Sequence, residues 1–327
     1  MSCKNVSIII PTYNEEANLA QCLESLDNLN YPHERIEIIV VDNGSTDRTR
    51  EIARNFNVKL YQAENKYIAG LRNLGVQQAS GEIIAFVDAD CIVAEDWLQQ
   101  ASNYFDNPHI AAWGSPALPP FDLSWVQKTW YLVRSKKHII QEVDWLESMN
   151  FFMRKKQFLE INGFNEALVT CEDVDISYRL QGKGKIISDM SIKVIHHGEA
   201  ATVKEFFKKE AWRGQGNFAG LTSHKISFKE LPSLVLPLYF VVIIPIFIFG
   251  FFIFNNLLWL SVGGFFYIFP TLFVLLKVAL KNLRISLKNF LQLSFLLQVY
   301  FFSKIIALLK NVPHAPGRKM PMLNLAL

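Results

Sequence analysis

The first ninety residues alternate short apolar runs with amphipathic stretches. Residues 6–10 are closed by Pro11, residues 36–41 end at Asp42, residues 58–61 form a third run, and residues 82–87 end at Asp88. Each run is short, rich in β-branched residues and bounded by turn formers, which is the pattern of a strand. Between the first two, Ala17, Leu19, Leu23, Leu26 and Leu29 recur at helical spacing, with Asn14 as the expected N-cap and Glu15 and Glu16 in the first turn. A second helix is predicted from Ser45 or Thr46 to about Asn55, after the Asn43-Gly44 turn, and a third over residues 69–78. Strands alternating with helices predict a mostly parallel sheet covered on both faces. Ligands bind such sheets beyond the carboxyl ends of the strands. Residues 11–15, 42–47 and 88–90 all fall there, so three polar clusters are expected to share one crevice.

The pattern then becomes less regular. Residues 111–114 read as an edge strand and 124–138 as a helix with Trp125, Trp130 and Tyr131 along it. Residues 192–195 read as a strand leading into His196-His197-Gly198. Residues 203–212 mix Lys204, Lys208 and Lys209 with Phe206, Phe207 and Trp212, as does a helix on a membrane surface or a packed amphipathic one.

From Leu231 to Leu276 no residue carries a formal charge. A helix rises about 1.5 Å per residue, so this run is long enough to cross a hydrocarbon core of about 30 Å twice. Two spans are predicted, near 234–254 and 257–276, turning at Asn255-Asn256. A third apolar stretch, 290–309, contains Gln292, Gln298 and Lys304 and fits either a third span or an interfacial helix. The predicted division is a domain over 1–230, with halves 1–115 and 116–230, and a membrane region over 231–327.

Charge divides the chain at the same place. All 30 acidic residues lie at or before Glu230, so 25 basic residues leave that part at −5, while the remainder carries +8. Lys277, Lys281, Arg284 and Lys288 follow the second span, which places that end in the cytosol by the positive-inside rule. Two crossings return the chain to its starting side, and residues 8–10 are too short for a signal-peptide core. An integral membrane protein with a cytosolic catalytic domain is expected. Cys3, Cys22, Cys91 and Cys171 lack metal-motif spacing and are expected to be reduced thiols.

Asp88 and Asp90, two positions apart where an apolar strand ends, suit a divalent cation such as Mg²⁺ or Mn²⁺, or one cation plus a sugar hydroxyl. A solvated loop would use the same residues. No GxGxxG follows the first strand and no GxxxxGK(S/T) occurs, so the glycines that cradle phosphate in dinucleotide and P-loop sites are missing. A metal is the candidate to neutralise phosphate instead.

Taken in order, Ile10-Pro11-Thr12-Tyr13-Asn14-Glu15, Val41-Asp42-Asn43-Gly44-Ser45-Thr46-Asp47, Arg72-Asn73-Leu74-Gly75 and Asp88-Ala89-Asp90 resemble the successive motifs of family 2 glycosyltransferases. The resemblance covers about residues 5–215. It implies an α/β fold of the GT-A type, the Rossmann-like fold of nucleotide-diphospho-sugar transferases, here followed by transmembrane helices. By that resemblance Pro11, Thr12, Tyr13 and Glu15 line the nucleoside pocket, Asp42 reads the base and Arg72 lies beside the donor. Asp88-Ala89-Asp90 meets the ribose, the diphosphate and the metal, with Asp90 the firmer ligand. Cys171-Glu172-Asp173 resembles the Glu-Asp motif at a helix start, where the family commonly has Thr in place of Cys171. Asp173 is the expected base, with Glu172 positioning the acceptor or Asp173 itself, whereas Asp175 reads as part of an acidic first turn. One of His196 and His197 is a candidate to complete the metal shell, His197 being favoured.

Processive members share a QxxRW motif. This chain has Trp212-Arg213-Gly214-Gln215, with Trp and Arg reversed, so a single transfer is expected, and either Arg213 or Gln215 would close over the diphosphate or merely structure a loop. The implied partners are a nucleotide-diphosphate sugar, with uridine favoured, a glycan or lipid-linked acceptor and membrane lipids; no nucleic acid is implied. A processive polysaccharide synthase and a non-catalytic nucleotide- or partner-binding scaffold are the alternative readings.

Overall fold

The computed structural model describes residues 3–134, 139–219, 231–281 and 286–309. Strands β1 (Val6–Thr12), β2 (Ile36–Asp42), β3 (Lys59–Gln62) and β4 (Ile83–Val87) alternate with helices α1 (Leu19–Asp27), α2 (Thr49–Arg54) and α3 (Ile68–Gln78). There follow β5 (Cys91–Val93), α4 (Trp97–Ala101), β6 (Ile110–Gly114), α5 (Trp125–Arg134), β7 (Ile140–Glu142) and β8 (Asn150–Arg154). Then come α6 (Lys155–Glu160), α7 (Glu172–Leu180), β9 (Lys185–Asp189) and β10 (Val194–His196). Four longer helices follow among the described residues: α8 (Val203–Ala219), α9 (Leu231–Phe254), α10 (Leu258–Lys281) and α11 (Leu287–Leu309).

Eight strands form one sheet in the order β3-β2-β1-β4-β8-β6-β9-β7. Its first four are parallel throughout, as the alternation predicts. Beyond β4 the sheet is mixed, because β8 enters between β4 and β6 antiparallel to both. Residues 110–114 are therefore interior, not an edge. Every residue of β6 is buried, and Trp113 stacks on Phe152 of β8 at 6.1 Å between ring centroids. All seven residues of β1 are buried as well, since apolar layers cover both faces of the sheet. Ile8, Ile10, Leu23 and Val40 pack on one face, and Ile9, Val41, Val76 and Phe86 on the other. Gly75 lets α3 lie against β1, where a Cβ would overlap Ile9.

The chain forms two compact units. The first comprises residues 3–121 and 139–198, and the second comprises α5 together with residues 199–309. The break in packing comes after Gly198, whereas the composition changes at Leu231. Within the second unit, Trp130 of α5 meets Phe206 of α8 edge-on at 4.8 Å and Tyr300 of α11 at 5.3 Å. Glu210 of α8 and Lys304 of α11 form a buried ion pair at 3.2 Å, and the ammonium also donates to the Glu210 carbonyl at 2.9 Å. Of the two readings of residues 203–212, the packed amphipathic helix describes this flank of α8.

Helices α9 and α10 turn at Asn255 and Asn256 as expected. Asn255 takes a left-handed φ of 45°, and Asn256 Oδ1 accepts the Leu258 N–H at 2.9 Å. Among the described residues, Leu258–Leu280 and Leu287–Ala307 are long and apolar enough to cross a membrane, and Pro245–Phe254 is a shorter apolar stretch. Arg284, Lys310, Arg318 and Lys319 lie outside the described residues.

Candidate active site

Register brings the strand ends together: Thr12, the last residue of β1, pairs with Asp42, the last of β2. The loops beyond them are tied side chain to backbone. The Asn14 N–H donates to Ser45 Oγ at 2.9 Å, Asn14 Oδ1 accepts the Thr46 N–H at 2.9 Å, and the Glu15 N–H donates to Thr49 Oγ1 at 2.7 Å. Asn14 thus sits at φ 55° bonded to the neighbouring loop instead of capping a helix, and α1 begins only at Leu19. Pro11, Thr12 and Ala89 are buried beneath the crevice.

Asp42 is fully buried. Its Oδ2 accepts the Gly44 N–H at 3.1 Å and the Ser45 N–H at 3.0 Å, while Oδ1 has no hydrogen-bond partner. A buried acceptor without a donor is costly, so this oxygen is an unmet hydrogen-bonding demand beside the loop. The loop that Asp42 organises walls a cavity of about 260 Å³, together with Tyr13, Arg50, Lys66 and Tyr67. Lys66 and Tyr67 escape the sequence reading. The only signal for them is their place between β3 and α3, at the same end of the sheet.

Arg72 of α3 is the hub of the site. Its guanidinium is buried, with Nη2 donating to Asp88 Oδ1 and Nη1 to Glu172 Oε1, each at 2.7 Å, and with the Phe164 ring 5.6 Å away. One oxygen of Glu172 is thereby held by Arg72. Asp88, 16 residues from Arg72, and Glu172, 100 residues from it, are held to one rigid fork.

Asp90 lies beside a histidine, and that histidine is His196, not His197. His196 Nε2 is 3.2 Å from Asp90 Oδ2. Antiparallel pairing of β10 with β5 sets His196 opposite Cys91, so its ring turns inward. Alternation then leaves His197 exposed, contributing only its backbone N–H to the Asp90 carbonyl at 2.9 Å. The donor atoms of Asp90, Cys91 and His196 all lie within 4.8 Å of one another. Burial, opposed by the Asn18 hydrogen bond, and the charges of Asp90, Asp88 and Asp47 hold the Glu15 carboxyl above its usual range. A carboxylate and an imidazole 3.2 Å apart beside further carboxylates fit a divalent cation. Gly198 closes over this pair, and a Cβ there would overlap Asp90 Oδ2.

Helix α7 opens after Cys171, which sits in the left-handed region at φ 67°, and its first residue, Glu172, reaches Arg72. Burial and the charges of Glu172 and Glu147 push the Asp173 carboxyl up to about 8, against the opposing effects of Arg72 and of the Val174 N–H. Asp175, in the first turn of α7, is salt-bridged to Arg179 at 2.6 Å. Arg213 belongs to the second unit, where its guanidinium meets Glu210 at 2.8 Å and Glu199 at 3.0 Å. The first unit therefore gathers Tyr13, Glu15, Asp42, Arg72, Asp88, Asp90, Glu172 and Asp173 at one end of the sheet, and the His197 ring is not among them.

Residues 7–163 match the family model described as Glycosyl transferase family 2. Glycosyltransferase AglE of Haloferax volcanii is 28% identical over 240 residues, spanning 71% of this chain and 79% of that protein. The dolichyl N-acetyl-alpha-D-glucosaminyl phosphate 3-beta-D-2,3-diacetamido-2,3-dideoxy-beta-D-glucuronosyltransferase of Methanococcus voltae is 36% identical over 101 residues, 29% of this chain and only 32% of that enzyme. Among solved structures, the mannosyltransferase PcManGT of Pyrobaculum calidifontis, in complex with GDP-Man and Mn²⁺, has the same fold. Its TM-score is 0.59 at 18% identity, over 94% of this chain and 87% of that one. The family match and the haloarchaeal relative identify a glycosyltransferase, and the mannosyltransferase shares its fold. The likeness to glycosyltransferase family 2 covers residues 7–163 of the chain.

Proposed function

We propose that this protein is an inverting, metal-dependent glycosyltransferase that makes a single transfer from a UDP-sugar to a lipid-linked acceptor at the cytosolic face of a membrane. The observation that carries this reading is the Arg72 fork, which ties Asp88, beside the metal-ligand candidates Asp90 and His196, to the start of the helix that presents Asp173. Leaving-group and proton-transfer functions thus share one support.

Asp173 takes the proton from the acceptor hydroxyl as its oxygen attacks the anomeric carbon from the face opposite the diphosphate. The carbon–oxygen bond to the diphosphate breaks, UDP departs, and configuration inverts. A carboxyl raised towards neutrality is well matched to this step, because a base works best with its pKa near the working pH. Asp90 and His196 would hold the divalent cation, whose charge would stabilise the departing diphosphate. Asp42 supports uracil as the base. With Oδ2 already bonded to two loop amides, a single oxygen remains, which suits the lone imide N–H of uracil better than the paired N–H donors of guanine.

The acceptor side rests on the apolar helices. Phe252 and Ile253 of α9 and Leu287 of α11 are more than 70% exposed, a surface suited to lipid and not to water. The methanococcal relative is named for a dolichyl phosphate glycan, an acceptor of the same kind. Positive charges after α10 favour a cytosolic catalytic domain.

The test is transfer from radiolabelled UDP-sugars to membrane lipids with Mg²⁺ or Mn²⁺. Asp173→Asn is expected to keep metal-dependent UDP binding and to lose transfer by about 10²–10⁴-fold, the contribution of a general base. Asp90→Ala is expected to weaken metal and nucleotide binding together. Near-normal transfer by Asp173→Asn would remove it as the base, and unchanged metal-dependent binding by Asp90→Ala would remove the metal site.

A further inference from the structure

We propose that Cys91 is a third protein ligand of the donor metal site, making it a carboxylate–thiolate–imidazole centre with a marked affinity for zinc-like ions. This rests on the reading of Asp90 and His196 as metal ligands and extends it to a residue that no motif marks.

The geometry comes from strand pairing. Cys91 opens β5 directly after Asp90, and β10 sets His196 opposite it, so thiol and imidazole are cross-strand neighbours on one face. Cys91 Sγ lies 3.8 Å from Asp90 Oδ1, His196 Nε2 lies 3.2 Å from Asp90 Oδ2, and the three donor atoms fall within 4.8 Å of one another. Around a tetrahedral Zn²⁺, with sulfur at about 2.3 Å and nitrogen or oxygen at about 2.0–2.1 Å, ligand atoms sit about 3.3–3.6 Å apart. Cys91 and His196 meet different oxygens of Asp90, so the three donor atoms, now within 4.8 Å of one another, would draw in around one ion to meet this. Cys22, the other buried thiol here, is directed to the Asp88 carbonyl at 3.7 Å and is not a candidate.

Chemistry separates this centre from an all-oxygen one. Mg²⁺ takes carboxylate and water oxygens, whereas a thiolate favours Zn²⁺ or Co²⁺. On binding such an ion the Cys91 thiol yields its proton to solvent and becomes the thiolate ligand. Three protein ligands then leave a tetrahedral ion one open position, enough for one diphosphate oxygen. Any site ranks Zn²⁺ above Mg²⁺ to some degree, so the distinguishing property is the dependence of that ranking on Cys91.

The experiment uses the detergent-solubilised full chain, stripped of metal and titrated with Co²⁺. A thiolate-to-cobalt charge-transfer absorption in the near ultraviolet is expected in the wild type and absent from Cys91→Ser, with the visible cobalt bands retained in both. Zinc affinity in Cys91→Ser should fall by about tenfold or more, at least the scale seen for outer-shell changes, while magnesium affinity stays unchanged. Because Cys91 is buried and its variant can misfold, X-ray absorption of the zinc-loaded wild type provides a variant-free measurement, with one sulfur neighbour expected at about 2.3 Å. Cobalt spectra that are the same in both proteins, or a zinc shell of nitrogen and oxygen alone, overturn the role of Cys91 and leave Asp90 and His196 in place. Cobalt binding insensitive to Asp90→Ala overturns the metal site and this proposal together.

Discussion

Replacing Arg72 by Lys preserves the positive charge but not the two ion pairs it makes. The guanidinium uses separate nitrogens to reach Asp88 and Glu172, both at 2.7 Å, and one ammonium serves only one of them. Losing one charge-assisted hydrogen bond costs about 1.5–3 kcal/mol. For a domain of this size that lowers Tm by about 3–12 °C. If the same energy is lost from the transition state, kcat falls by about 10- to 150-fold. Arg72→Met also removes the charge and leaves two carboxylates uncompensated, at a cost of about 3–5 kcal/mol. The two variants separate in pH dependence. Asp173 acts deprotonated, so activity rises with pH through its pKa, and the Arg72 charge lowers that pKa. The acid limb of kcat/KM therefore moves to higher pH in Arg72→Met and stays near its wild-type position in Arg72→Lys. Thermal unfolding and initial-rate pH profiles in detergent read both effects. A Lys variant with wild-type Tm and kcat, or a Met variant whose acid limb moves to lower pH, would refute the fork.

Asp42→Asn must point its amide oxygen at the Gly44 and Ser45 N–H groups, leaving its NH₂ facing a base N–H; UDP affinity should fall by about 10- to 100-fold, read by calorimetry. Asp173 has a folded pKa raised above its unfolded value, so its contribution to stability is complete below the unfolded pKa and is lost as pH rises through about 8. Asp173→Asn should accordingly flatten the fall of Tm between mildly acidic and alkaline pH, and an unchanged slope would contradict the raised pKa. Lys304→Met leaves Glu210 still paired with Arg213 at 2.8 Å, so the loss should be smaller than the about 3–5 kcal/mol of an orphaned buried charge. Limited proteolysis should show α8 loosened, and adding Glu210→Leu should restore its protection.

Much of the first half of the catalytic unit was legible along the chain. Short β-branched runs ending at Pro11, Asp42 and Asp88 define parallel strands whose polar ends must meet, because continuous apolar runs and crossover helices leave few alternatives. Glu172 and Asp173 were legible in kind, as an acidic helix start. Pairing between distant segments decided the rest. Whether His196 or His197 faces Asp90 depends on the register of β10 against β5, since a shift of one residue turns every side chain to the other face. Residues 110–114 look like an edge until β8 arrives beside them from 40 positions further on. The resemblance places Arg72 beside the donor, yet only the fold shows it buried between two carboxylates, Asp88 and Glu172. Composition along the chain determined the kinds of chemistry available here, and long-range burial determined which residues carry them.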